Sequence, residues 1–130
     1  MEEVYGMEEV YGQELILDLS MCDISTFNRE SIGNYLDALC ELIDMQAEDR
    51  HFWDDEGLSE EECQTDPKTT GVSVVQFILT STIVIHSLPK LGKIFINIFS
   101  CKDFDQEQAC MFTVEWFGSQ KFRRHVVERR

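Results

Sequence analysis

The chain has 130 residues, of which 43% are hydrophobic, which is enough for the core of one domain. Its formal net charge of -14, from 25 acidic against 11 basic residues, argues against a nucleic acid or an anionic membrane as partner. No segment has the length and apolarity of a membrane span, and the acidic start differs from a signal peptide, so we expect a cytoplasmic protein that binds a small molecule.

Five cysteines are scattered along the chain, at Cys22, Cys40, Cys63, Cys101 and Cys110. None of them has the short spacing to another cysteine that zinc sites and thioredoxin-type redox motifs require. The sequence therefore predicts reduced, mostly structural cysteines and no metal site, and it leaves room for one catalytic cysteine.

The first twelve residues repeat one hexapeptide, Met-Glu-Glu-Val-Tyr-Gly, at 1–6 and again at 7–12. Repeat architectures need several longer units, so this pair does not indicate a solenoid. We expect residues 1–12 to be disordered or an artefactual duplication without a function, followed by one folded domain over residues 13–130.

The first half of the domain predicts a strand, a helix and a loop. Residues 13–19 read as a strand, and Asn28 can cap a helix that runs to about Asp44. Residues 48–70 are rich in Asp, Glu, Thr and Gln, which predicts a solvated loop with a short irregular strand near residues 51–53. The functional alternative for this acidic segment is a flap over a cationic ligand.

The second half predicts a meander of strands. Apolar, β-branched runs at 72–79, 83–87 and 93–99 are separated by Thr80-Ser81-Thr82 and by residues 89–92. Asp105 begins a second helix with Gln108 at the capping-box position, Gly118 ends it, and residues 122–127 form a last strand. This order predicts an α+β fold, a two-layer α/β sandwich with a mostly antiparallel sheet and two helices on one face.

Three side chains near predicted strand ends are candidates for chemistry: Ser81, His86 and Cys101. Ser81 and His86 are five residues apart, and a strand places residues of opposite parity on opposite faces, so a contact between them depends on a bend at 80–82. On pattern alone, a turn serine, a core histidine and a buried cysteine explain all three without catalysis.

Residues 71–101, GVSVVQFILTSTIVIHSLPKLGKIFINIFSC, resemble the central segment of the prokaryotic S-adenosylmethionine decarboxylases. The similarity continues through residues 12–23 and through Asp103-Phe-Asp105 and Val-Val-Glu-Arg at 126–129. It is colinear over most of the chain, which makes it more specific than any short motif. It implies a pyruvoyl-dependent decarboxylase that is made as a zymogen and supplies polyamine (spermidine) biosynthesis.

The resemblance also implies roles for the three candidate residues. Ser81 would attack the carbonyl of Thr80, so that the chain cleaves itself between these residues and Ser81 becomes a covalent pyruvoyl group. His86 would assist this processing as acid or base, and Cys101 would donate a proton during decarboxylation. The pyruvoyl group supplies an electron sink for the carbanion that forms as carbon dioxide leaves.

Two departures from the family pattern bear on processing and on substrate. The usual cleavage motif Glu-Ser-His is Thr80-Ser81-Thr82 here, and the usual Thr-Trp-Pro-Glu is Ser87-Leu88-Pro89-Lys90. Leu88 offers no aromatic face and Lys90 accepts no hydrogen bond from ribose, which favours a changed ligand at these substrate-binding positions. A solvated turn explains Lys90 equally well.

Two functions therefore follow from the sequence. The first is a decarboxylase of S-adenosylmethionine or of another amino acid such as arginine or ornithine. The second is a relative that does not process itself and binds a ligand or a partner. By resemblance the active unit is expected to be a homodimer, and apolar residues on both faces of the 72–99 strands agree with a covered sheet.

Overall fold

The computed structural model of the chain describes residues 9–130. Six strands and two helices follow one another as β1 (Gly12–Ser20), α1 (Arg29–Leu42), β2 (Ala47–Trp53), β3 (Val72–Ile78), β4 (Ser81–Leu88), β5 (Lys93–Ser100), α2 (Gln106–Trp116) and β6 (Lys121–Arg129). The strands form one sheet in the order β2-β3-β4-β5-β1-β6. Every neighbouring pair is antiparallel. The predicted α+β sandwich is confirmed.

Both helices begin at the capping residues that the sequence predicts. The Asn28 side chain accepts a hydrogen bond from the backbone N–H of Ser31 at 2.8 Å, and Asp105 accepts one from Gln108 at 2.9 Å. Each bond satisfies an N–H that the first helical turn leaves without a partner. Gly118 follows α2 with a φ of 61°, the left-handed conformation that a glycine adopts without strain.

Both helices cover the same face of the sheet, and the core lies between them. Along β4 the side chains of Ile83 and Ile85 are completely buried against the helices, whereas their neighbours on the strand point the other way. Tyr35 of α1 is buried among the aromatic rings of α2 and hydrogen-bonds Thr113 at 2.6 Å. The predicted placement of two helices on one face is therefore confirmed.

We call the other side of the sheet, which no helix of residues 9–130 covers, the open face. It carries partly or fully exposed apolar side chains on neighbouring central strands, namely Ile16, Val75, Phe77, Val84, Phe95 and Phe99. Polar residues such as Asn97 and His86 lie among them. The expectation of apolar residues on both faces thus holds, but only the helix side is fully buried.

Two element boundaries differ from the sequence expectation. The stretch predicted as loop from residue 48 contains a seven-residue strand, β2, because Ala47–Trp53 pairs with β3 as an edge strand with exposed charged side chains. The sequence predicts Ser81 in a turn between two strands, yet it is the first residue of β4 and pairs with Ile78. Only Leu79 and Thr80 connect these two strands.

The acidic segment after β2 is fastened to the domain. Arg29 at the start of α1 makes two hydrogen bonds to the Asp54 carboxylate, at 2.7 and 2.8 Å, and its guanidinium lies over the Phe52 ring. The arginine holds the pKa of Asp54 below its usual range. No helix in residues 9–130 is both long and apolar enough to cross a bilayer.

Candidate active site

The connection between β3 and β4 places Ser81 at the head of a strand in a strained setting. Thr80 has a φ of 61°, in the left-handed region that β-branched residues rarely adopt. Ser81 follows it, and only 5% of its surface is exposed. The peptide bond between Thr80 and Ser81 thus joins an exposed, strained residue to a buried one.

Cys101 lies beside that bond because β5 ends next to the head of β4. Its backbone N–H donates to Ser81 Oγ at 3.2 Å, and its Sγ is 4.0 Å from the same oxygen. Thr80 Oγ1 lies 3.2 Å from the sulfur. The fold therefore brings two of the three predicted catalytic residues, Ser81 and Cys101, into contact around one peptide bond.

The surroundings favour the thiolate form of Cys101. The Thr80 hydroxyl, followed by the hydroxyls of Ser81 and Tyr11, holds the pKa of the thiol below its usual value, although desolvation opposes this effect. Hydroxyl groups that donate to sulfur stabilise the negative charge. The thiolate of Cys101 therefore forms at a lower pH than that of an ordinary cysteine.

Ser81 and Cys101 open into a cavity of about 670 Å³, a size that suits a small-molecule substrate. Its charged lining residues are Asp44 and Lys102, which form an ion pair at 2.9 Å. The remaining lining residues are Met45, Gln46, Leu79, Thr80 and Ser100. Among residues 9–130, no three His, Cys, Asp or Glu side chains gather in a way that could hold a metal ion.

His86 lies on the open face and does not join Ser81 and Cys101. Five residues of strand separate it from Ser81, about 17 Å at the usual rise of a strand, and it points to the other side of the sheet. Its Nδ1 lies 2.8 Å from Ser73 Oγ on the neighbouring strand. Within one protomer the predicted catalytic set is therefore divided into two groups.

The group around His86 has a cavity of its own. This cavity measures about 340 Å³ and is lined by His51, Phe52, Trp53, Ser73, Val74, Val75 and His86. The indole of Trp53 is the most prominent part of it, with 83% of its surface exposed. An aromatic face and two imidazoles thus lie together on the open face.

The predicted substrate-binding positions lie far from the cavity at Ser81. Leu88 is the last residue of β4, and Lys90 lies in the following turn. The Lys90 ammonium donates to the backbone oxygen of Thr65 at 2.8 Å and so fastens the acidic segment. Neither side chain lines the cavity that Ser81 and Cys101 share.

The sequence does not identify three residues that lie beside the predicted set: Ser73, Trp53 and Tyr11. Ser73 faces His86 in the register of β3 and β4, so a correct hairpin alignment would have revealed it. Tyr11 lies in the second copy of the hexapeptide, to which the sequence assigns no function. Its effect on the pKa of Cys101 depends on how the chain enters β1, which carries no local sequence signal.

Comparison with known proteins agrees with the resemblance noted in the sequence. A family model described as S-adenosylmethionine decarboxylase matches residues 13–130. The fold is similar to the crystal structure of the adenosylmethionine decarboxylase from Aquifex aeolicus VF5, with a TM-score of 0.74, 18% identity and coverage of 94% of this chain and 92% of that one. Curated protein sequences give no significant match. The chain belongs to the S-adenosylmethionine decarboxylase family.

Proposed function

We propose that this protein is a pyruvoyl-dependent decarboxylase that cleaves itself between Thr80 and Ser81 and acts on S-adenosylmethionine, supplying polyamine (spermidine) biosynthesis. The observation that carries the proposal is the contact of Ser81 with Cys101 beside a strained peptide bond. This contact supports the proposal independently of the family membership, because the sequence pattern alone does not predict that Ser81 and Cys101 touch.

The contacts around Ser81 support self-cleavage. In the proposed first step, Ser81 Oγ attacks the carbonyl carbon of Thr80, and the peptide bond is exchanged for an ester. The ester then breaks by β-elimination, which leaves a free carboxylate on Thr80 and dehydroalanine at position 81. Hydrolysis of the dehydroalanine by water releases ammonia and gives the pyruvoyl group. Cys101, whose pKa is lowered chiefly by the Thr80 hydroxyl, lies 4.0 Å from Ser81 Oγ and can accept its proton. The left-handed backbone of Thr80 adds strain that cleavage releases.

The same geometry suits the later decarboxylation. A pyruvoyl group at position 81 would supply the electron sink, and it would form at the wall of the cavity where Cys101 already lies. Cys101 would then return a proton to the substrate carbon from the neighbouring strand end.

The division of the catalytic set supports a homodimer as the active unit. The exposed His86 imidazole cannot reach Ser81 in its own protomer, and it lies among the apolar side chains of the open face. A second copy packed on that face would bury those side chains and could present its His86 and Ser73 to Ser81. His86 would then assist processing from across the interface.

Substrate recognition is proposed to involve residues on both sides of that interface. Leu88 and Lys90 occupy the family's substrate-binding positions, but Leu88 has no aromatic face. Trp53 supplies one in the cavity beside His86, where it can stack on a purine base. An aromatic face can also stack on the guanidinium of arginine, so the family membership alone ranks S-adenosylmethionine above arginine and ornithine.

A relative that binds a ligand or partner without processing remains the second candidate. The observation that favours it is the replacement of the usual glutamate by Thr80, which leaves the paired Asp44 as the carboxylate lining the cavity. Contact of Lys90 with Thr65 also removes that lysine from direct substrate contact.

Intact-protein mass spectrometry of the purified protein tests the proposal. We expect two fragments, residues 1–80 and a second that begins at position 81 and is lighter by one ammonia than a fragment with N-terminal serine. Ser81→Ala is expected to remain one chain without decarboxylase activity. Ser87→Ala is the matched control, because Ser87 is also a buried serine of β4 on the helix side.

An uncut wild-type chain under conditions where it is folded would reject self-processing and favour the non-processing relative. Cleavage that persists in Ser81→Ala would reject the assigned nucleophile. Cleavage without release of carbon dioxide from S-adenosylmethionine would reject the substrate and lead to assays with arginine and ornithine.

A further inference from the structure

Tyr11, from the second copy of the hexapeptide, is held against the candidate active site. Its backbone N–H donates to the carbonyl of Arg129 at 2.7 Å, and its ring stacks on Phe99 with centroids 6.4 Å apart. Its hydroxyl is among the groups that lower the pKa of the Cys101 thiol. The backbone bond and the ring stacking hold this residue, whose side chain is 56% exposed, at the end of β5.

Gly12 explains why the chain can pass so close to the end of β5. A Cβ at Gly12 would lie 2.2 Å from the Ser100 carbonyl oxygen and 2.8 Å from Cys101 Cα. Both neighbours are backbone atoms that cannot turn aside, so a glycine is required at this crossing. The backbone itself thus brings Tyr11 next to Cys101.

The Tyr11 hydroxyl differs from the hydroxyls of Thr80 and Ser81 because its residue does not flank the scissile bond. The proposed cleavage removes Ser81 Oγ from position 81 and turns Thr80 into a free chain end. Tyr11 lies far along the chain from that break, and its position is set by the pairing around β1 and β6. Its hydroxyl is the one whose position does not depend on an intact Thr80–Ser81 bond.

We propose that Tyr11 is a positioning residue that holds the Cys101 sulfur in place, as a hydrogen-bond donor, before and after processing. As a donor, the hydroxyl stabilises the charge that the sulfur acquires when Cys101 gives a proton away. The relevance to turnover rests on the proposed function. The contact itself can be tested without any activity.

The test is the pH dependence of Cys101 alkylation by iodoacetamide in the full-length protein. Trypsin cuts after Lys93 and Lys102, so peptide 94–102 reports Cys101 separately from the other cysteines. In Tyr11→Phe the alkylation rate near neutral pH is expected to fall about threefold, with the profile moved to higher pH. The change keeps the ring that stacks on Phe99 and should leave the fold intact.

Tyr5→Phe is the matched control, because Tyr5 has the same Val and Gly neighbours in the first copy of the repeat. It is expected to leave the profile unchanged. A Tyr11→Phe profile equal to that of the wild type, or equal shifts in both variants, would overturn the proposal. Circular dichroism of each variant shows whether the fold is retained.

The experiment distinguishes a failure of the Tyr11 proposal from a failure of the proposed function. If the protein neither cleaves nor decarboxylates but Tyr11→Phe still shifts the alkylation profile, the function fails and the contact stands. If the protein is active, Tyr11→Phe is expected to lower kcat more than it raises KM. Activity with an unchanged alkylation profile would retain the function and reject the role of Tyr11.

Discussion

The head of β4 and the open face each hold part of the predicted catalytic set, and they are built differently. Ser81 is buried and accepts a hydrogen bond from Cys101 of the same protomer across a strand end. His86 is exposed and has Ser73 as its partner on the next strand. An odd spacing along one strand is enough to separate two reactive residues by the thickness of a sheet.

The strongest test of this division mixes two inactive variants. His86→Ala and Cys101→Ala, each alone, are expected to lack decarboxylase activity. If sites form across a homodimer, co-expression restores about one quarter of wild-type activity, because half of the dimers are mixed and each contains one intact site. Activity that stays at the level of the separate variants would place His86 outside the site.

The open face can be tested by a charge at its centre. Val84→Arg is expected to convert the proposed dimer to a folded monomer and to lower activity at least about tenfold, since an unpaired charge cannot be buried between two sheets. Sedimentation velocity measures the change. Met111→Arg, at an exposed apolar position of α2, is the control and should leave the assembly unchanged. A Val84→Arg dimer would show that the face is not the interface.

The head of β4 can be tested through the strain at Thr80. Thr80→Gly and Thr80→Val both lose the hydroxyl that contacts Cys101, but only glycine relaxes the left-handed backbone. We expect Thr80→Gly to cleave about fivefold more slowly than Thr80→Val, which corresponds to about 1 kcal/mol of strain. The measurement is the appearance of fragment 1–80 over time. Equal rates would show that the strain does not assist cleavage.

The smallest expected effect concerns the acidic segment that borders the open face. Asp54→Asn is expected to lower the free energy of unfolding by about 1 kcal/mol at pH 7, because it breaks the paired hydrogen bonds to Arg29. The contribution of Asp54 is present above its unfolded pKa and is lost as pH falls through its depressed folded pKa, so the two proteins should converge in acid.

Urea titrations at several pH values measure this difference. Glu56→Gln is the control, since Glu56 also approaches Arg29 but is largely exposed and should matter less. A difference between Asp54→Asn and the wild type that persists unchanged at low pH would show that it does not arise from the charge of Asp54.

Much of the fold could be predicted because apolar alternation and capping residues agree with it. The β-branched runs around Val75, Val84 and Ile96 became central strands, and Asn28 and Asp105 cap the helices as expected. The strand β2 was missed in part because an edge strand needs no apolar alternation, and its residues 48–50 are Glu, Asp and Arg.

The site was predictable only as far as a family pattern reaches. Their positions near predicted strand ends suggest Ser81 and Cys101 as candidates. Their contact, however, joins residues 20 positions apart and depends on the register of β4 with β5, which the sequence does not give. Parity did predict that Ser81 and His86 face opposite ways unless the strand bends. Parity does not predict what packs on the open face, where we propose a second copy of the chain.

The tight crossing at Gly12 matters to anyone who prepares this protein. A repeated hexapeptide invites trimming, and removing residues 1–6 leaves every contact of Tyr11 in the described chain in place. Removing residues 1–12 deletes the Tyr11 hydroxyl and the glycine that admits it. A shortened protein made in that way would report on a different cysteine environment from the one in the full chain.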